Sequence, residues 1–184
     1  YRNVLNCLNN RYETEFPDAM PLICACEAGR FGDVKLFITC MKGISNMTLR
    51  EHMNRFGKTS EDTEEWTPLM IAAYGEHFQV VKYLIEQGEA DPNIANSDGW
   101  NALHYAARNN RTNTELIELL LTHMSLDSIN KKSRAGYTPL DYAYCNDSPL
   151  RQEIIALIRS KGGKANYYDE NGRNVGEGNG DLNH

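Results

Sequence analysis

The run Trp66-Thr67-Pro68-Leu69-Met70-Ile71-Ala72-Ala73 returns as Trp100-Asn101-Ala102-Leu103-His104-Tyr105-Ala106-Ala107, and again as Tyr137-Thr138-Pro139-Leu140-Asp141-Tyr142-Ala143. A repeated supersecondary unit constrains the fold more than any single residue does. Leu69 to Leu103 is a step of 34 residues and Leu103 to Leu140 one of 37. An earlier copy, Pro21-Leu22-Ile23-Cys24-Ala25-Cys26, lies 47 residues upstream of the second, so an insertion separates them. Each copy is followed by a second apolar signature, such as Val80-Val81 with Tyr83-Leu84-Ile85, or Ile154-Ile155 with Leu157-Ile158. Two short helices per period account for both signatures, which makes the chain all-α.

Within a unit, Thr67-Pro68 and Thr138-Pro139 open the first helix. Threonine offers a side-chain oxygen to an orphan backbone donor, and proline at the next position has no N–H to leave unpaired. Asn101 can cap the third copy in the same way. The paired alanines mark close approach of neighbouring helices. Gly88 and Gly162 stand where the second helix must end, and glycine accepts the left-handed terminal conformation. Asp91-Pro92-Asn93 and Asn96-Ser97-Asp98-Gly99 then read as a projecting turn.

This pattern of Thr-Pro-Leu-x-x-Ala-Ala, Val-Val-x-x-Leu-Ile-x-x-Gly and Ala-Asp-Pro-Asn resembles the ankyrin repeat. The resemblance covers about residues 16–166 and implies a solenoid of stacked helix–turn–helix units with β-hairpin-like fingers. Four repeats are expected at about 16–41, 65–93, 97–130 and 134–166, with an insertion at 42–64. Neighbouring units supply the core that one unit cannot bury alone. Residues 1–15 read as an N-terminal capping helix, with Val4, Leu5, Leu8 and Tyr12 able to share one face. In the insertion, Leu49, Met53 and Phe56 at helical spacing predict a short extra helix. The segment 167–184, rich in Gly, Asn and Asp, reads as a polar C-terminal tail.

The net charge of −6 lacks the basic footprint that nucleic-acid binding calls for, and would suit a protein partner with a basic patch. No apolar stretch approaches the roughly 18–20 residues of a membrane span. Five cysteines are not a tidy disulfide framework; Cys24 and Cys26, where small core residues recur in the other copies, read as buried thiols of an intracellular, cytoplasmic protein. Secretion as an effector stays open, because the chain starts at Tyr1 and a lost leader would leave no trace.

Catalysis needs convergent groups that the chain does not assemble, so no catalytic residue, cofactor or metal ligand is assigned. The resemblance gives His104 a structural role, tying adjacent fingers through hydrogen bonds. Asp169-Glu170-Asn171-Gly172 is distantly similar to a calcium loop, but the ligand spacing is absent.

Binding is the better expectation. The resemblance implies that the residue before each Thr-Pro-Leu motif faces a continuous concave surface, where Trp66, Trp100 and Tyr137 would form an aromatic ladder. Aromatic side chains anchor interfaces because they bury much area at little rotamer cost. The same correspondence adds Tyr74, Arg108 and Asn109 from the first helices and Ser97 and Asp98 near the finger tips. Glu64 and Glu65 close an acidic run before Trp66 that could steer a basic partner. The ladder could instead serve only to stabilise the stack. Two uses stay open: a free-standing interaction module, or a regulatory or inhibitory segment of a larger protein, including a microbial effector acting on a host enzyme. Oligomeric state is open as well.

Overall fold

The computed structural model describes residues 2–15, 21–44, 49–57, 65–111 and 113–176. Secondary structure among them is entirely helical, apart from two isolated bridges. The helices run α1 (Arg2–Glu15), α2 (Pro21–Glu27), α3 (Phe31–Ile44), α4 (Leu49–Met53), α5 (Pro68–Tyr74), α6 (Phe78–Glu86), α7 (Ala102–Arg108), α8 (Thr114–His123), α9 (Leu126–Ile129), α10 (Pro139–Cys145) and α11 (Arg151–Ser160). Helices α2, α5, α7 and α10 pack side by side as an inner layer. Behind them, α3, α6, α8 and α11 form the outer layer, each paired with an inner helix.

The caps form as their residue types dictate. Thr67 Oγ1 accepts Met70 N at 3.2 Å, Asn101 Oδ1 accepts His104 N at 3.2 Å, and Thr138 Oγ1 accepts Asp141 N at 3.3 Å. Such caps contribute about 1 kcal/mol each. Between the layers lie Ile23, Leu69, Leu84, Leu103, Ile117, Leu120 and Ile158, all fully buried. Each such side chain contributes roughly 1.5–3 kcal/mol of hydrophobic stabilisation. Helix lengths of seven residues in α5, α7 and α10 are too short to stand alone, so this interlayer packing carries them.

Gly162 takes the expected left-handed conformation at φ +84°, but after α6 it is Glu89 that does so, at φ +57°. Gly88 is needed for space instead, since a Cβ there would sit 2.7 Å from the Leu84 carbonyl oxygen. At the N-terminal end, α1 packs on α2 and α3 through the buried Leu8, while Val4 is exposed. The side chains of Leu5 and Tyr12 lie outside the described residues. The insertion supplies α4, whose Leu49 and Met53 are buried in the common core, with Phe56 packed against it.

A second register runs through the loops. Asn54 Oδ1 accepts Asp91 N at 2.8 Å, Asn93 Oδ1 accepts Ser125 N at 2.8 Å, and Asn130 Oδ1 accepts Lys164 N at 2.7 Å. Three residues after each of these asparagines a finger begins. Gly57 N donates to Trp66 O, Asn96 N to Trp100 O and Ser133 N to Tyr137 O, each at 2.8 Å. Residues 58–64, between Gly57 and Trp66, lie outside the described residues.

Asn166 continues this register, and three residues later Asp169 N donates to Arg173 O at 3.0 Å. Asp169 Oδ1 accepts Asn171 N and Arg173 N, as Asn96 Oδ1 accepts Asp98 N and Trp100 N. Gly99, Gly136 and Gly172 hold the same left-handed corner, at φ +80°, +85° and +75°. Residues 166–173 thus form a further finger within the stretch that opens the polar C-terminal segment. The sequence reads as a tail because a finger is held by backbone and carboxamide hydrogen bonds and carries no hydrophobic period. The remainder of that segment, 177–184, lies outside the described residues.

Candidate functional site

The expected ladder exists, but it is interleaved and partly internal. Tyr105 and Tyr142, each five residues after the finger aromatic of its own unit, insert between the finger rings. Centroids are 4.4 Å apart for Trp66–Tyr105, 4.9 Å for Tyr105–Trp100 and 4.5 Å for Trp100–Tyr142. The run continues at 5.5 Å to Tyr137 and 4.4 Å to Tyr167 on the last finger. These spacings lie at the short end of the roughly 4.5–7 Å over which ring pairs attract beyond simple burial. Sequence reasoning missed Tyr105, Tyr142 and Tyr167, although the constant five-residue offset of the first two was available as a signal.

The structure corrects the role expected of Trp66. It is only 3% exposed, pressed between Tyr74 and Tyr105, and offers a partner almost no surface. Its indole Nε1–H is buried with no hydrogen-bond partner among the described residues. Trp100 and Tyr137 are half-buried, and Tyr74 is 49% exposed at the end of α5. The exposed aromatic edge has therefore moved from the finger to the inner helix.

Arg108, exposed at the end of α7, lays its guanidinium over the Trp100 ring, 5.6 Å from the centroid. Its backbone is clamped by the buried Asn146, whose Nδ2 donates at 2.8 Å to both Ala107 O and Asn109 O, the carbonyls on either side of it. Asn109 holds the preceding repeat by a single bond, its Nδ2 donating to Tyr74 O at 2.6 Å. Its carboxamide thus helps to hold the stack, and the half-buried side chain also lines the groove described below.

At the finger tips, Ser97 is exposed and Asp98 joins adjacent fingers. Its Oδ1 meets Arg134 Nη1 at 2.8 Å, and its carbonyl accepts Arg134 N at 2.7 Å. An exposed pair of this kind stabilises by less than about 1 kcal/mol. Glu65 is exposed beside the Gly57–Trp66 bridge, whereas Glu64 lies outside the described residues.

Between the C-terminal ends of α5, α7 and α10 opens a groove of about 590 Å³, lined by Tyr74, Glu76, Arg108, Arg111, Cys145 and Asp147 among others. Glu76 holds a left-handed backbone at φ +60° without being glycine. Burial raises its carboxyl pKa, against the pull of Arg111 and His77. Burial likewise raises the Cys145 thiol, which sits 3.0 Å from the Tyr168 hydroxyl.

His104 is fully buried, with its Nδ1 3.2 Å from Asn101 N and 2.8 Å from Asn101 Oδ1. Burial lowers its pKa to about 4, so the ring is neutral at neutral pH. No group of three His, Cys, Asp or Glu side chains among the described residues is placed to hold a metal ion. No described helix is long and apolar enough to cross a membrane.

Residues 2–96, 22–121 and 88–169 each match the family model described as ankyrin repeats in three copies. Among curated proteins, the chain is 34% identical over 106 residues to Protein lin-12 of Caenorhabditis elegans. That alignment covers 58% of this chain and 7% of the relative, so the chain spans only a small fraction of that protein's length.

Proposed function

This chain belongs to the ankyrin-repeat family, and from that premise we propose that it is a non-catalytic module binding a partner protein on its concave surface. The observation that carries this reading is the arrangement around the groove. Tyr74, which is exposed, and Arg108 both line it, and Arg108 lies over the ring of Trp100 next to the groove. Interface energy concentrates in such aromatic and arginine side chains. Their supports are rigid helix ends locked by Asn109 and Asn146, so little ordering cost attends binding. Tyr137 extends the surface along the fingers, with Ser97, Asp98 and Glu65 at its rim. Buried thiols at Cys26 and Cys40 support a reducing, intracellular setting for the module.

A second reading makes the repeats a regulatory segment of a larger protein. The alignment with a small stretch of a much longer relative favours it. Both readings use the same surface. Selection of binders from a random peptide library displayed on phage tests that surface directly. Selected peptides should lose about 1–3 kcal/mol of affinity on Tyr74→Ala, a loss of roughly five- to 150-fold. Peptides indifferent to Tyr74→Ala, or no enrichment at all, would remove the groove as the binding site.

A further inference from the structure

We infer that the last finger is a lid over the C-terminal face of the stack, latched by Arg159. It closes this face to a further repeat and to a second copy of the chain. The inference concerns the end of the stack and is independent of the binding reading above.

The first observation lies in the inner layer. Cys26, Ala73 and Ala107 are the sixth residues of α2, α5 and α7, fully buried on helices that pack against the next inner one. Small side chains at that place let neighbouring helices approach closely. The sixth residue of α10 is Tyr144, a ring too large for such a junction. It stacks instead on Tyr168 of the last finger, with centroids 4.8 Å apart and planes inclined by 20°.

The outer layer changes at the matching place. Ile38, Ile85 and Leu121 directly follow the buried Phe37, Leu84 and Leu120, and join the common core. The residue that follows the buried Ile158 is the exposed Arg159. Its Nη1 donates to Glu170 O at 3.0 Å and its Nη2 to Asp169 O at 3.1 Å. The same guanidinium lies over the Tyr144 ring, 5.5 Å from the centroid. One side chain therefore holds both the ring and the finger backbone.

The register of loop asparagines ends there too. Asn93 and Asn130 each hold a backbone N–H that follows the next outer helix, those of Ser125 and Lys164. Asn166 Oδ1 instead receives Lys132 Nζ at 2.7 Å, from the loop before the preceding finger. The place where a following repeat would be tied on is filled from behind. A repeat added on this face would have to displace Tyr144, Tyr168 and the Arg159 latch together. An end left open would present an apolar face to its neighbours.

Hydrogen exchange and sedimentation of the full chain test the inference. Arg159→Leu should speed exchange about tenfold or more at Asp169, Gly172 and Val175, whose N–H groups bond within the finger, and leave α10 protected. Tyr144→Ala combined with Arg159→Leu restores the small and apolar residues of the internal junctions. That double variant should self-associate at concentrations where the parent keeps its size, with its helix content checked by circular dichroism. Unchanged exchange in Arg159→Leu would overturn the latch, and decides the matter alone if the double variant does not fold. A folded double variant that sediments as the parent does at every concentration would overturn the closure.

Discussion

The carboxylate of Asp141 accepts the backbone N–H of Tyr167 at 2.8 Å, which ties the last inner helix to the last finger. The same carboxylate takes Asn166 N at 2.9 Å and both Thr138 N and Thr138 Oγ1 at 2.8 Å. Asp141 stands where His104 stands in the preceding repeat, and both groups serve as the third-residue partner of a capping box. One position in the repeat thus solves one problem with two chemistries. It satisfies the helix start and, at Asp141, also captures the incoming finger.

Asp141→Ala is expected to cost about 3 kcal/mol, because one buried and two part-buried backbone N–H groups lose their acceptor at once. Asp141→Asn keeps one acceptor oxygen and should cost less. Urea denaturation measures the loss. Hydrogen exchange should rise first at the amides of Asn166 and Tyr167, and exchange confined to distant helices would contradict the assignment.

The buried His104 makes stability depend on pH. Its folded-state pKa of about 4 lies below the ordinary 6.5, so the unfolded chain takes up a proton before the folded one does. The full stability it permits is present above pH 6.5 and is lost as pH falls towards 4. Across that window the loss is about 3 kcal/mol, at roughly 1.4 kcal/mol for each tenfold change in proton concentration between the two values. His104→Gln can still reach the Asn101 N–H and does not titrate. The difference in stability between the parent and this variant should move in the variant's favour by that amount from pH 7 to pH 4. A difference that stays constant would show that the ring is not buried neutral.

Trp66 is expected to govern stability and leave binding alone. Trp66→Ala should cost about 3–5 kcal/mol, as large aromatic deletions from cores do. Trp66→Phe should cost about half as much, since the indole N–H it removes has no partner to lose. Thermal melts of the two variants, with peptide binding measured below their transitions, separate the two roles.

Much of this was legible in the sequence, and what was missed has physical causes. The period, the paired helices and the caps at Thr67, Asn101 and Thr138 follow from local rules, and the structure shows each of those hydrogen bonds. Equivalence in register also put Trp66 beside Trp100 and Tyr137, but register says nothing about what covers a side chain. Tyr74 and Tyr105 close over Trp66, and Tyr105 comes from the next repeat along the chain. Arg108 was visible as a surface residue, whereas its seat on Trp100 and the clamp from Asn146 depend on tertiary contacts. The last finger escaped notice for a different reason. Its markers are Asn166, Asp169 and Gly172, spaced as in the preceding fingers, and a search for apolar periodicity passes over them.

The claim at the centre is that the concave groove binds through Tyr74 and the Trp100–Arg108 pair, while Trp66 only supports them. Isothermal titration of one selected peptide into the parent, Tyr74→Ala and Trp66→Phe decides it. The account predicts a five- to 150-fold loss of affinity for Tyr74→Ala, equivalent to about 1–3 kcal/mol, and parental affinity for folded Trp66→Phe. Undiminished binding by Tyr74→Ala, or a matching loss in Trp66→Phe below its melting transition, would contradict it.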